Sequence, residues 1–139
     1  MPDYRYEVPI RVRFRDLDPM GHVNNAVYAS YCEQARISYF SDVLDLDPAT
    51  PGMVLAHLEL DYERAVTFDE DLAVSVRVPR LGTSSFPTEH EVRVGDELAA
   101  TAETTQVVVD DEGAPRPIPD EWRERIADFE EFEVATGGE

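Results

Sequence analysis

The residues of this chain best suited to chemistry are crowded into one stretch, Asp16-Leu17-Asp18-Pro19-Met20-Gly21-His22-Val23-Asn24-Asn25-Ala26-Val27-Tyr28. Two carboxylates precede a glycine, a histidine and a pair of asparagines, and an amphipathic segment follows directly. Such a stretch joins the end of a strand to the start of a helix, so it aims a carboxylate and a set of unpaired backbone amides at the same small volume. A carbonyl compound held there would meet a group that can attack it or activate water. It would also meet N–H donors that stabilise the oxyanion as it forms.

Each residue of the stretch has a structural use beside the chemical one. An aspartate is ionised at neutral pH, so Asp18 or Asp16 can act as nucleophile or general base, and the other is then left to hold the loop through backbone hydrogen bonds. Gly21 permits a tight turn and close approach to a ligand. His22 could pass protons, but with no Ser or Cys nucleophile beside it, it reads as a hydrogen-bonding loop residue. Asn24 or Asn25 would cap the following helix while offering backbone amides. Tyr28 fills the core or lines a pocket. His22, His57 and His90 lack a compact ligand spacing, so no metal site is expected.

The elements that must position these residues follow from periodicity. Tyr6, Val8, Ile10, Val12 and Phe14 alternate with Glu7, Pro9, Arg11, Arg13 and Arg15, which predicts a half-buried strand with Pro9 marking a sheet edge or a bulge. Tyr28, Tyr31, Cys32, Ala35 and Tyr39 recur at helical spacing and predict a long helix over residues 25–44. Residues 45–52, with two prolines, form a connector. Alternation then predicts strands through 54–62 and 72–78, a third with Phe86, Thr88, His90, Val92 and Val94 on its inner face, and a Gly95-Asp96 hairpin into a strand over 98–109. A turn-rich exit over 110–119 leads to a terminal helix over 121–132, and residues 133–139 are expected to fray. One long helix against five antiparallel strands makes an α+β fold, a single domain over residues 1–139.

Composition sets the surroundings. Thirty acidic residues oppose twelve basic ones for a net charge of −18, and all twelve are arginines. The carboxylates are spread between apolar positions, so they coat a folded surface. Such lysine-free acidity resembles the proteins of halophiles that accumulate salt. At about 1 M salt the Debye length is roughly 3 Å, which screens self-repulsion while hydrated carboxylates keep the protein dissolved. Nucleic acid is excluded as a partner for want of a basic face. No apolar run of membrane-spanning length and no signal-like N-terminus is present, so a cytoplasmic location without membrane association is expected. The lone Cys32 forbids an intrachain disulfide and is expected to be buried in the helix.

The pattern Asp-x-Asp-x-x-Gly-His-Val-Asn-Asn-x-x-Tyr, followed by Tyr31, Glu33, Ala35 and Arg36, resembles the start of a hotdog-fold acyl-CoA thioesterase of the 4-hydroxybenzoyl-CoA thioesterase-like family. The resemblance implies a sheet wrapped around the long helix, Asp18 as the catalytic carboxylate, and oxyanion donors among Gly21, His22, Val23, Asn24 and Asn25, with Tyr28 beside the substrate. Ser84 and Ser85, in a stretch similar to the family's Gly-x-Ser-Ser-Phe, would contact the thioester end. Arg64, Arg77, Arg80 and Arg93 are candidates for the coenzyme A phosphates. An acyl-CoA substrate, no metal or bound cofactor, and a homodimer or homotetramer are further implications. Ala65 departs from the pattern where relatives commonly carry proline. A non-catalytic acyl-CoA-binding protein and a hotdog hydratase or dehydratase are the alternatives.

Charge of this density destabilises the compact state when it is unscreened. The circular dichroism signal of the folded chain is therefore expected to weaken, and its melting temperature to fall, as potassium chloride drops from molar to millimolar. A melting temperature independent of salt would contradict the halophilic reading.

Overall fold

A computed structural model describes residues 4–47 and 52–132. The elements run β1 (Tyr6–Ile10), α1 (Val27–Leu44), β2 (Met53–Tyr62), β3 (Leu72–Arg77), β4 (Ser85–Val94), β5 (Glu97–Val108) and α2 (Asp120–Glu130), with a 3-10 turn at Phe14–Asp16. The five strands form one antiparallel sheet in the order β1-β3-β4-β5-β2. Helix α1 lies against it. Among the described residues no helix is long and apolar enough to cross a membrane.

Alternation puts Val74 and Val76 of β3 and Phe86 and Val92 of β4 on the face beneath α1, where all four are buried. Each such side chain contributes roughly 1.5–3 kcal/mol by leaving water. From the helix, Tyr28, Tyr31, Cys32, Ala35, Arg36 and Tyr39 face inward. Burial pushes the Cys32 thiol up to about 11, so it stays protonated and serves as packing. Helix α2 docks through polar contacts as well as apolar ones. The Arg123 guanidinium donates to the carbonyls of Gly82 and Thr83, while Glu130 accepts from the Tyr39 hydroxyl at 2.6 Å and from the Val78 N–H at 2.9 Å.

Several boundaries differ from the sequence expectation. The first strand stops at Ile10 instead of continuing to Phe14, which is 79% exposed. Asp16 causes the break: its carboxylate takes the Arg13 N–H at 2.9 Å and its own N–H bonds the Arg13 carbonyl, closing a turn where a ladder was expected. Helix α1 starts at Val27, two residues late, because the Asn24 side chain takes the Ala26 N–H and the Asn24 carbonyl takes the Val27 N–H. Neither asparagine is the residue at the cap. Strand β2 does not keep one buried face. It lies at the sheet edge, its register slips between Leu55 and His57, and Val54, Leu55 and Tyr62 are exposed. Pro9 does sit on an edge strand, and Gly95 takes a φ of +60° in the two-residue β4–β5 hairpin. The final helix spans 120–130 instead of 121–132. The connector is described only at 45–47 and 52, and the expected frayed tail at 133–139 lies outside the described residues.

One part of the core is polar. Thr88, His90, Thr104 and Gln106 share the buried face of β4 and β5. The Thr88 hydroxyl meets Nε2 of His90 at 2.9 Å and also the Thr104 hydroxyl, while Nδ1 of His90 is buried without a hydrogen-bond partner among the described residues. Burial, aided by the nearby Arg36 charge, lowers the His90 pKa to about 3. The unfolded chain protonates this ring near the ordinary value of about 6.5. Between the two values the unfolded state binds more protons, so stability rises with pH across that window and falls on acidification. Replacing His90 with Gln keeps a partner for Thr88 without a titrating ring. Denaturant unfolding at pH 4 and pH 7 should show His90→Gln losing less stability on acidification than wild type, by on the order of 3 kcal/mol. Parallel pH profiles in the two proteins would count against this account.

Candidate active site

The loop between β1 and α1 is folded back on itself by its own polar groups. Asp18 and Gly21 close a turn, with the Gly21 N–H on the Asp18 carbonyl at 3.0 Å and Pro19 between them. Gly21 then takes a φ of +83°, which a side chain would strain. The Asp18 N–H donates to the His22 carbonyl at 2.7 Å, and Oδ1 of Asp18 accepts from the Met20 N–H at 2.9 Å and the His22 N–H at 3.1 Å. One carboxylate oxygen is thereby fixed. The other, Oδ2, receives no hydrogen bond from the described residues.

The two aspartates are used differently. Oδ2 of Asp16 accepts from the Tyr31 hydroxyl at 2.8 Å as well as from the Arg13 N–H, and the Asp16 carbonyl takes the Asn24 N–H at 2.8 Å. Burial, and then the hydrogen bond to Asp16, raise the Tyr31 pKa, so the phenol remains a donor. Val23 is buried and its N–H bonds the Val66 carbonyl at 2.8 Å, fastening the loop to the segment after β2. These bonds correct the expected donor set. The Gly21, His22, Val23 and Asn24 amides are already taken, whereas no carbonyl among the described residues takes the N–H of Asn25 or Tyr28.

A cleft of about 280 Å³ opens beside this loop, lined by Asp18, His22, Asn25, Tyr28, Tyr62 and Arg64 among others. Tyr28 is both core and cleft wall. It is 2% exposed, its ring meets the Tyr62 ring edge-on at 5.1 Å, and burial raises its pKa. The Tyr62 hydroxyl donates to the Asn25 carbonyl at 2.7 Å, tying the end of β2 to the approach to α1. Sequence reasoning missed that role. Its trace was a tyrosine at the open end of a strand, an aromatic body with a polar tip.

Of the four arginines considered for phosphates, Arg64 lines the cleft, with Nη2 on Glu70 at 2.7 Å and Nη1 3.7 Å from Glu97. Its hydrogen bond holds the Glu70 carboxyl below the usual range. Arg77 is bound to Glu89 and Arg93 to Glu91, and Arg80 is exposed. Ser84 and Ser85 are not brought to the cleft. They sit where β4 begins, their carbonyls accepting from Val108 and Gly82. Among the described residues no group of three or more His, Cys, Asp or Glu is placed to hold a metal ion.

Residues 12–126 match the thioesterase-like superfamily. The chain belongs to that superfamily. A thioesterase from Thermus thermophilus, crystallised with coenzyme A and zinc, is 41% identical and superposes with a TM-score of 0.86 over 96% of this chain and all of its own. The 1,4-dihydroxy-2-naphthoyl-CoA hydrolase of Synechococcus elongatus is 26% identical across 92% of this chain and its own full length. YsmA of Bacillus subtilis, uncharacterised, is 36% identical over 78 residues, and the match spans about half of it, 53%. The five-stranded sheet with its long helix is thus the hotdog fold of thioesterases, and the superfamily match takes in the Asp18 loop, α1 and strands β2 to β5.

Proposed function

We propose that the chain hydrolyses acyl-CoA thioesters to the free acid and coenzyme A, with Asp18 as the catalytic carboxylate. The observation that carries this reading is the position of Asp18. One oxygen is pinned by two backbone N–H groups and the other is unengaged, in a cleft whose lining includes Asn25 and Tyr28, with N–H groups that lack internal acceptors. The Synechococcus hydrolase and the coenzyme A complex of the Thermus thioesterase support the substrate class.

Two routes fit a carboxylate held this way. As nucleophile, Oδ2 of Asp18 attacks the carbonyl carbon, and the C–S bond breaks as coenzyme A leaves as thiolate and takes a proton from water. Water then cleaves the mixed anhydride. As general base, Asp18 accepts a proton from water as that oxygen attacks, and the thiolate leaves with a proton. Both routes place negative charge on the former carbonyl oxygen, where the Asn25 and Tyr28 N–H groups are the candidate donors; one such donor contributes about 3–4 kcal/mol. The thioester is already activated, so neither route calls for a metal.

Asp18→Asn preserves size and can still hold the loop, while removing the charge that attacks or accepts the proton. Measured by thiol release with short, long and aromatic acyl-CoA in molar potassium chloride, kcat should fall by roughly 10² or more with KM changed far less. Asp16→Asn should act mainly through stability, by weakening the bonds to Tyr31 and Arg13. Near wild-type turnover in Asp18→Asn would overturn the assignment, and turnover of no acyl-CoA by wild type would favour a binding role.

The same reading includes a second copy of the chain. Strand β2 is ten residues long, lies at the sheet edge, exposes Val54 and Leu55, and ends at Tyr62 in the Asp18 cleft. Pairing two such edges covers that apolar surface and brings the partner beside each cleft. Light scattering in molar salt should give at least twice the 15.7 kDa chain mass. A fully active monomer would exclude an intersubunit site.

A further inference from the structure

We propose that a second cavity, beside the C-terminal half of α1, binds a carboxylate carried on an apolar body, with Arg36 as its counter-ion. The cavity measures about 350 Å³, within the range of small-ligand pockets, and shares no lining residue with the Asp18 cleft. Its buried lining residues are Arg36 and Gln106, and Phe40, Leu46, Met53 and Trp122 supply apolar walls.

Arg36 is the unusual group. It is 4% exposed, and its Nη1 is buried with no hydrogen-bond partner among the described residues. An unpaired buried guanidinium is costly, and burial here works against its charge. No carboxylate among the described residues hydrogen-bonds its Nη1. His90 is neutral, and its proximity to Arg36 favours that state. The Cys32 thiol is protonated. Glu33, three residues earlier on the helix, lines the same cavity and its charge favours the Arg36 cation, but it leaves Nη1 without a hydrogen bond. Glu33, Asp47 and Arg116 are exposed, so they form the mouth, where water and salt screen them. An incoming carboxylate would meet a buried cation with an amide, Gln106, in the same lining, and its apolar body would lie against Phe40, Met53 and Trp122. The free acid released from an acyl thioester belongs to this chemical class, although the site does not depend on that reaction.

Trp122 is the chain's one tryptophan, so its fluorescence reports the cavity wall directly. Titrating octanoate into the full-length chain in molar potassium chloride should give a saturable change, with octanol binding at least about tenfold more weakly because it lacks the charge. Arg36→Met should weaken octanoate by at least about tenfold and erase the preference over octanol, whereas Asp18→Asn should bind octanoate as wild type does, whatever becomes of its turnover. A carbon-13 titration of carboxyl-labelled octanoate on the wild-type protein serves as a check that does not require Arg36→Met to fold. The bound acid should titrate below the free acid, as a carboxylate beside a guanidinium does. No saturable signal, equal affinity for octanol, unchanged affinity in a folded Arg36→Met, a bound acid titrating at or above the free value, or loss of binding in Asp18→Asn would each overturn the proposal.

Discussion

The loop that carries Asp18 depends on the hydrogen bonds gathered at Asp16. Its carboxylate joins the Tyr31 hydroxyl of α1 to the Arg13 backbone before the loop, and its carbonyl takes the Asn24 N–H after it. Three segments separate in the chain thus meet at one residue. With that junction made, the turn from Asp18 to Gly21 closes on itself and Val23 anchors to Val66. The roles of the two aspartates diverge for this reason. Asp16 spends both side chain and carbonyl on structure, whereas Asp18 is held by one oxygen and keeps the other disengaged. Under the proposed reading, a carboxylate preorganised in this way would act as nucleophile or base with little reorganisation cost.

Much of the architecture was legible because its strands and helix carry clean periodicities. Val74 and Val76, or Phe86, Thr88, His90 and Val92, announce an inner face at every second residue, and the run from Tyr28 to Tyr39 announces a buried helix face. The legible part ends where a side chain captures the backbone. Asp16 bends the first strand away before Phe14, and Asn24 delays the helix to Val27; neither event changes the alternation by which strands and helices are read. Strand β2 deceived for another reason. A register slip at an edge changes which side chains face inward without altering composition.

For the candidate site, sequence could group Asp18, Gly21, His22, Asn25 and Tyr28 because they are neighbours in the chain. It could not reveal that Val23 and Asn24 would use their amides on Val66 and Asp16, nor that Tyr62 would reach back from a distant strand to Asn25. Ser84 and Ser85 show the opposite failure: suggestive types in a suggestive run, placed where β4 begins and away from the cleft within one chain. Arg36 stood in the quoted pattern without a role. Its significance lies in burial without a partner, which only the packed helix and sheet disclose.

The two outer strands of the sheet are unequal. Strand β1 offers five residues, one of them Pro9, which has no N–H to give a neighbour; strand β2 offers ten and no proline. A sheet of this kind is receptive along one side and blunt along the other. Were that receptive side covered by a second copy, as proposed, no second one would be left to recruit a third chain, and growth by strand addition would end at two copies. Such a limit would come from backbone geometry alone, without charge repulsion, which salt screens.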